Sequence, residues 1–220
     1  MRTHEHPFRR LLRCSLLLCF VASVPVGLPA QDDGKARDAW QRPREVMDAL
    51  GISAGSVVAD VGCGDGYFTF HLAERVGAAG RVYAVDIDES ALKKLRQKAE
   101  KEKLTQIEAI VGAADDPRLA AESVEVVLIV NAYHEMRDYD AMLAALYRAL
   151  KPGGRLAIIE GAIEGGQKRA SYFDRHRIPK EVVREEAEGH GFVFSREAPG
   201  FTRTHDGKQF YFLVFGKPKD

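Results

Sequence analysis

Two groups of residues carry types and spacings suited to chemistry. The first is Asp60 followed by Gly62, Cys63, Gly64 and Gly66, closing a run of β-branched residues that begins at Val57. Glycines at this spacing let the backbone turn sharply and lie against a ligand that a Cβ would obstruct. The dinucleotide fingerprint needs a third glycine where this chain has Tyr67. An acidic residue just before the turn would repel a pyrophosphate but attract a sulfonium or ammonium charge, so the ligand expected is a cationic nucleoside. The second group is Asn131, Tyr133, His134 and Glu135, which follow the aliphatic run Val124 to Val130. In open α/β sheets ligands sit beyond the carboxyl ends of strands, where these groups arrive. His134 titrates near neutral pH and can take a proton from an O–H or N–H, with Tyr133 or Asn131 positioning the reactants. A second reading is equally open, in which His134 and Glu135 pair with each other or cap the next helix.

The elements that must position these groups are legible in outline. Val57 to Val61 reads as a strand covered on both faces, and Phe68, Leu72 and Val76 recur at helical spacing after the turn. Val82 to Val85, Ile107 to Val111, Val124 to Val130 and Arg155 to Glu160 read as further strands, with helices between them marked by Leu92, Leu95 and Ala99 and by Met142, Leu143, Leu146 and Leu150. Ala39 to Leu50 reads as a leading helix with Pro43 in its first turn or kinking it, and Trp40 faces either the sheet edge or the substrate. Val182, Val183 and Ala187 mark a late helix stopped near Gly189, before strands at Phe192 to Arg196 and Gln209 to Phe215.

Three motifs in order, ADVGCGDG, VYAVDIDESAL and LKPGGRLAIIE, resemble those of class I S-adenosylmethionine-dependent methyltransferases, from about Trp40 to the C-terminus. The resemblance implies an α/β, Rossmann-like three-layer sandwich with a seven-stranded, mostly parallel sheet in the order 3-2-1-4-5-7-6, its last strand antiparallel. It implies S-adenosyl-L-methionine as cofactor, held by Asp60, the turn Gly62, Cys63, Gly64 and Gly66, and Asp86 with its neighbour Ile87. In the family the acidic residue at the Asp86 position accepts the ribose hydroxyls. About twenty residues from Gly66 to Asp86 leave room for one helix and one strand, as such a unit requires. Asp115 is the expected partner of the adenine amino group, Asp116 nearly as good a candidate, and a solvated acidic turn before Pro117 the alternative. Asn131 joins the cofactor contacts, and His134, Tyr133 and His176 are the candidate catalytic residues. Cys63 is open to two readings, a nucleophile or a small packing residue.

From Gly161 to Pro179 periodicity fails, and residues 161–179 read as a substrate-covering loop. Tyr172, Arg175, His176 and Arg177 either hold an acidic or oxygen-bearing acceptor or pair with Glu181 and Glu185 on the surface.

Composition bounds the rest. A chain of 220 residues, 45% hydrophobic, accommodates one full α/β core. Lys plus Arg and Asp plus Glu each total 32, so there is no basic excess of the nucleic-acid-binding kind. Arg2, Arg9, Arg10 and Arg13 precede the apolar run Leu16 to Val24 and then Pro25, Gly27, Pro29 and Ala30, the layout of a secretory signal peptide over residues 1–30. The expected product is a single domain over 31–220 with 28 basic and 31 acidic residues, periplasmic or secreted, or cytoplasmic if that segment is misassigned. No stable membrane anchor is expected, because the run falls short of the about 20 residues of a span. Cys63 alone would remain in that domain, so no intrachain disulfide is available. No cysteine cluster or histidine-rich spacing suggests a metal. The expected activity is methyl transfer by in-line displacement to a small-molecule acceptor. O-, C- and S-methylation are the forms of transfer expected. A non-catalytic S-adenosylmethionine-binding protein and a nicotinamide-dependent oxidoreductase are the alternatives.

Overall fold

The computed structural model describes residue 1 and residues 33–198, 203–205 and 207–219. The proposed signal segment lies outside the described residues. Gly34–Asp220 is one compact unit built around a single sheet.

In chain order the elements are α1 (Asp33–Gln41), α2 (Pro43–Ala49), β1 (Val57–Val61), α3 (Tyr67–Val76), β2 (Arg81–Asp86), α4 (Glu89–Lys101), β3 (Ile107–Val111), β4 (Val124–Val130), a 3-10 turn (Tyr133–Glu135), α5 (Tyr139–Ala149), β5 (Leu150–Gly161), α6 (Ala170–Arg175), α7 (Lys180–Gly189), β6 (Val193–Glu197), β7 (Arg203–His205) and β8 (Lys208–Gly216). The sheet runs β3-β2-β1-β4-β5-β8-β6, with the short β7 paired to β8 as a hairpin. The strands from β3 to β5 are parallel, and β8 runs antiparallel between β5 and β6. With β7 set aside as a hairpin arm, this is the expected 3-2-1-4-5-7-6 order.

Strand alternation explains the three layers. Val58, Val126, Leu128, Ala157, Phe212 and Val214 point to one face and are buried with α2 and α3. Their neighbours Ala59, Val127, Ile129, Leu156, Ile158, Leu213 and Phe215 point to the other face and are buried with α5 and α7. A strand buried on both faces has no polar side, and so these segments read as unbroken aliphatic runs.

One expectation is corrected. The single leading helix is two: Arg42 takes a left-handed φ of 49° and Pro43 opens α2. A residue before proline is disfavoured in the right-handed helical region, so the chain breaks there rather than kinking. The segment 161–179, expected as a substrate-covering loop, contains α6.

Candidate active site

The carboxyl ends of β1, β2 and β4 open onto a cleft of about 460 Å³. Gly62 and Gly64 form its floor, at φ of 74° and 56°. A Cβ on Gly62 would lie 2.3 Å from the Ala132 Cβ, so this glycine lets the first turn pack against the tip of β4. A Cβ on Gly64 would meet nothing within 4 Å, and its φ is what demands glycine. Gly66 does not reach the cleft; a Cβ there would strike Leu95 at 2.8 Å.

Asp86 stands at the end of β2 in the cleft wall. One carboxylate oxygen accepts the Gly64 N–H at 2.7 Å and the other the Asp88 N–H at 2.9 Å. Each oxygen thus keeps accepting capacity for a further donor. Beside it Ile87 is 67% exposed, an apolar side chain at the rim of the cleft with little of its own to cover it. Gly112, Ala113 and Ala114 complete that side. Asp86, Glu135 and Asp138 line the cleft against one cation, Arg137, which sits 4.3 Å from the Phe173 ring centroid. Two free acceptors for a diol, an exposed apolar platform and an acidic lining fit an adenosyl sulfonium, and fit a pyrophosphate poorly.

With Gly66, five expected cofactor contacts lie away from the cleft lining. Asp60 is not in the cleft wall: it is buried, with its carboxylate accepting the Thr69 hydroxyl at 2.6 Å. Alternation turns it toward α3, and burial, helped by the charge of Asp86, raises its pKa to about 6 against the pull of the Thr69 hydroxyl. Cys63 packs with Ala84, Leu92 and Leu95, and burial pushes its thiol far up, which rules out a ready thiolate nucleophile. Asp115 is exposed, and Asp116 accepts the Arg118 N–H at 2.7 Å, so neither carboxylate lines the cleft.

A second hollow of about 280 Å³ adjoins the first and is lined by Trp40, Asn131, His134, Glu135, Gly161, His176, His205 and Phe210. Asn131 and Glu135 line both hollows. Asn131 turns the chain at φ 52°, its N–H held by the Ile159 carbonyl at 2.9 Å. Trp40 stacks on His205 with centroids 4.1 Å apart and planes 5° off parallel. His134 is 3% exposed, and its Nδ1 lies 2.8 Å from Glu160 Oε2, while its backbone N–H donates to Glu160 Oε1 at 3.2 Å. Glu160 is fully buried at the end of β5, next to β4 in the sheet. Burial alone would pull the His134 pKa down. The hydrogen bond and charge of Glu160, then the charge of Glu135, outweigh that and hold it above its ordinary value. Nε2 is buried and makes no hydrogen bond among the described residues.

Tyr133 is corrected as a catalytic candidate. The 3-10 turn sends it into the core opposite His134, fully buried, with its hydroxyl on Glu186 at 2.7 Å and its pKa pushed well up by burial. Tyr172 is likewise buried and bonded within its own loop to Gln167, not free to hold an acceptor. His176 does reach the hollow, its ring edge-on to His134 with centroids 5.5 Å apart.

Sequence reasoning missed Glu160, Arg169 and Glu186. Arg169 pairs with Glu186 at 2.9 Å and donates to the carbonyls of Tyr133, His134 and Met136 at 3.2, 3.4 and 3.3 Å, clamping the turn that carries His134. The one available signal was Glu160, a lone charge ending the run LAIIE beside the strand whose tip bears His134.

The sheet order, the reversed β8 and the acidic cleft together define the class I S-adenosylmethionine-dependent methyltransferase fold. Residues 58–154 match the family described as a methyltransferase domain. It is 31% identical over 136 residues to the demethylmenaquinone methyltransferase of Oceanobacillus iheyensis, an alignment covering 61% of this chain and 56% of that protein. With the corresponding protein of Lactococcus lactis it shares 34% over 126 residues, 57% and 49% of the two chains. The chain therefore spans about half the length of these curated relatives. In fold it is similar to a SAM-dependent methyltransferase from Aquifex aeolicus, with a TM-score of 0.69, 24% identity, and 83% and 93% of the two chains covered. It is also similar to phosphoethanolamine N-methyltransferase 2 of Haemonchus contortus in complex with S-adenosyl-L-methionine, with a TM-score of 0.65, 19% identity, and 81% and 53% covered.

Proposed function

We propose that the protein transfers a methyl group from S-adenosylmethionine to a small, planar, oxygen-bearing acceptor in the hollow beside His134. When bound, the cofactor supplies an electrophilic methyl carbon and a neutral sulfur leaving group. Gly62, Gly64, Asp86, Ile87 and Asn131 would hold it. The protein's part is then alignment: Asn131 and Glu135, shared by both hollows, stand where the two ligands meet. His134 presents the Nε2 lone pair to an acceptor hydroxyl, with Glu160 fixing the tautomer that leaves Nε2 free. Trp40, Phe210 and His205 line the hollow and suit a flat ring.

The observation that carries this reading is His134, which lines the hollow next to the cofactor cleft and whose Nε2 is buried and makes no hydrogen bond among the described residues. The relatives named for demethylmenaquinone, a quinone, give the acceptor class further support. The reversed β8 speaks against a nicotinamide enzyme, whose sheet ends in parallel order. We further propose that residues 1–30 direct export, on the strength of their basic, apolar and small-residue layout; fractionation of cells carrying the full chain should then find it outside the cytoplasm.

The test is calorimetric titration with S-adenosylhomocysteine and NAD, followed by transfer of labelled methyl to phenol and hydroquinone acceptors. Micromolar binding of the adenosyl ligand with label in the organic product supports the reading. Binding without transfer to any acceptor would favour a non-catalytic cofactor-binding protein, and preference for NAD would overturn the methyltransferase reading.

A further inference from the structure

His134, Glu135 and His176 are brought together by the fold although α5, β5 and α6 lie between the last two in the chain. His134 Nε2 lies 3.5 Å from Glu135 Oε1, and Glu135 Oε1 lies 3.6 Å from His176 Nδ1. The three ligand atoms all fall within 4.8 Å of one another. A tetrahedral ion with bonds of about 2.1 Å has its ligands about 3.4 Å apart, so two of the three edges are already the right length. The third closes by rotation of His176, whose side chain is 66% exposed.

The donor set is also chemically suited. His134 Nε2 is buried and, among the described residues, makes no hydrogen bond, and a buried polar atom in that state calls for an explanation. Its other ring nitrogen is held by a fully buried carboxylate, Glu160, at 2.8 Å. A carboxylate behind the distal nitrogen is the arrangement that orients ligating histidines and raises their basicity. Two imidazoles and one carboxylate suit zinc and its first-row neighbours rather than magnesium or calcium, which prefer all-oxygen shells. All three residues line the hollow that Asn131 and Trp40 also line.

We propose that His134 Nε2, Glu135 and His176 Nδ1 form a binding site for a divalent transition ion of the zinc type, with its open position turned to the acceptor. This deepens the reading above and rests on it only for the acceptor: the ion stands between His134 and the acceptor oxygen, where a bare Nε2 would meet the hydroxyl directly. An acceptor with a coordinating oxygen is then favoured over one with only carbon at the reacting end. No sequence spacing announces such a site, because its ligands come from a turn after β4 and from the end of α6.

The test is titration of the untagged full chain with Zn²⁺, and with Co²⁺ followed by its visible absorption, alongside titration with S-adenosylhomocysteine. One ion per chain is expected, with the Co²⁺ spectrum intense as for a tetrahedral site. His176→Ala should weaken Zn²⁺ binding at least about tenfold while leaving S-adenosylhomocysteine binding unchanged, and Glu160→Gln should weaken Zn²⁺ by about 10- to 100-fold through His134. His176 is exposed, so its loss does not threaten folding. Absence of Zn²⁺ uptake by a chain that binds S-adenosylhomocysteine overturns the site. Zn²⁺ affinity unchanged in His176→Ala overturns it as well, since the ion then sits elsewhere. Zn²⁺ binding that His176→Ala abolishes, in a chain that methylates nothing, upholds the site and sinks the transferase reading instead.

Discussion

The two hollows of this protein are built by different means. The cofactor cleft is made by neighbours in sequence: glycines two residues apart, a strand end, and Ile87 directly after Asp86. Much of its recognition is backbone geometry, and the hydrogen bond from Gly64 to Asp86 ties two adjacent strands of one unit. The acceptor hollow draws on α1, the β4 tip, the end of β5, the segment after α6 and the β7–β8 hairpin. It is held by side chains, chiefly Glu160 on His134 and Arg169 on the turn. A cleft of the first kind can stay fixed while one of the second kind is rebuilt for a different acceptor. On the proposed reading acceptor specificity then resides in the second hollow, and separating the two sites tests it.

The sharpest separation is His134→Ala. Turnover should fall by about 10²- to 10⁴-fold, the usual range for a group acting on a transferring proton. S-adenosylhomocysteine affinity should stay within about threefold, because His134 does not line the cofactor cleft. Loss of both together would mean that the hollows are one cooperative site. In the protein free of any bound ion, activity should drop as pH falls through a value above the ordinary histidine range, since Glu160 and Glu135 favour the charged ring and only the neutral ring offers Nε2.

The converse experiment is Asp86→Ala. Removal of the carboxylate takes away both acceptors for a diol and the anchor of the Gly64 and Asp88 N–H groups. S-adenosylhomocysteine binding should weaken by about 100-fold or more, roughly 3 kcal/mol, with Zn²⁺ binding untouched. Calorimetry on the two ligands reads both halves at once, and a parallel loss of Zn²⁺ would break the comparison.

The same division governs what the sequence discloses. The glycine turn, Asp86 and the strand order are legible because each depends on spacing along the chain or on alternation within one strand. Glu160 is visible as a charge ending an aliphatic strand, but its partner is fixed only by the pairing of β4 with β5. Tyr133 and His134 look equivalent in sequence, and the 3-10 turn then sends one into the core and the other into the hollow. Asp115 and Asp116 do not line the cleft, because the loop after β3 presents Ala113 and Ala114 to it and leaves Asp115 exposed and Asp116 bonded to the backbone. Arg169 gives no local signal at all, since its four partners lie on two distant segments.

That clamp gives an intermediate test. Arg169→Ala leaves Glu186 partly buried without its cation and frees three carbonyls of the His134 turn. Breaking such a pair typically costs about 3 kcal/mol. The loss should appear as a lower thermal midpoint and a raised acceptor KM, with S-adenosylhomocysteine affinity retained. An unchanged acceptor KM would show that the turn holds its shape without the clamp, and that Glu160 alone positions His134.

The smallest expected effect concerns the cofactor half by itself. Asp60 lies beneath the glycine turn with its pKa raised to about 6, above the ordinary 3.8. Between these values the folded chain holds a proton that the unfolded chain has released, so stability declines as pH rises across this window. Above it the buried charge costs about 2 to 3 kcal/mol relative to a neutral side chain. Asp60→Asn keeps an acceptor for the Thr69 hydroxyl and removes the charge. Thermal midpoints measured from pH 4 to 8 should therefore be flatter in the variant and higher than in the parent above pH 6. S-adenosylhomocysteine affinity should change little, while S-adenosylmethionine, which carries the sulfonium, should bind less tightly in the variant as the field of Asp60 is lost. A variant no more stable at pH 8 would mean that Arg37, which pulls the Asp60 pKa down from α1, already offsets the buried charge. The cofactor cleft would then depend on a helix whose Trp40 lines the acceptor hollow, and the two halves would be coupled through α1.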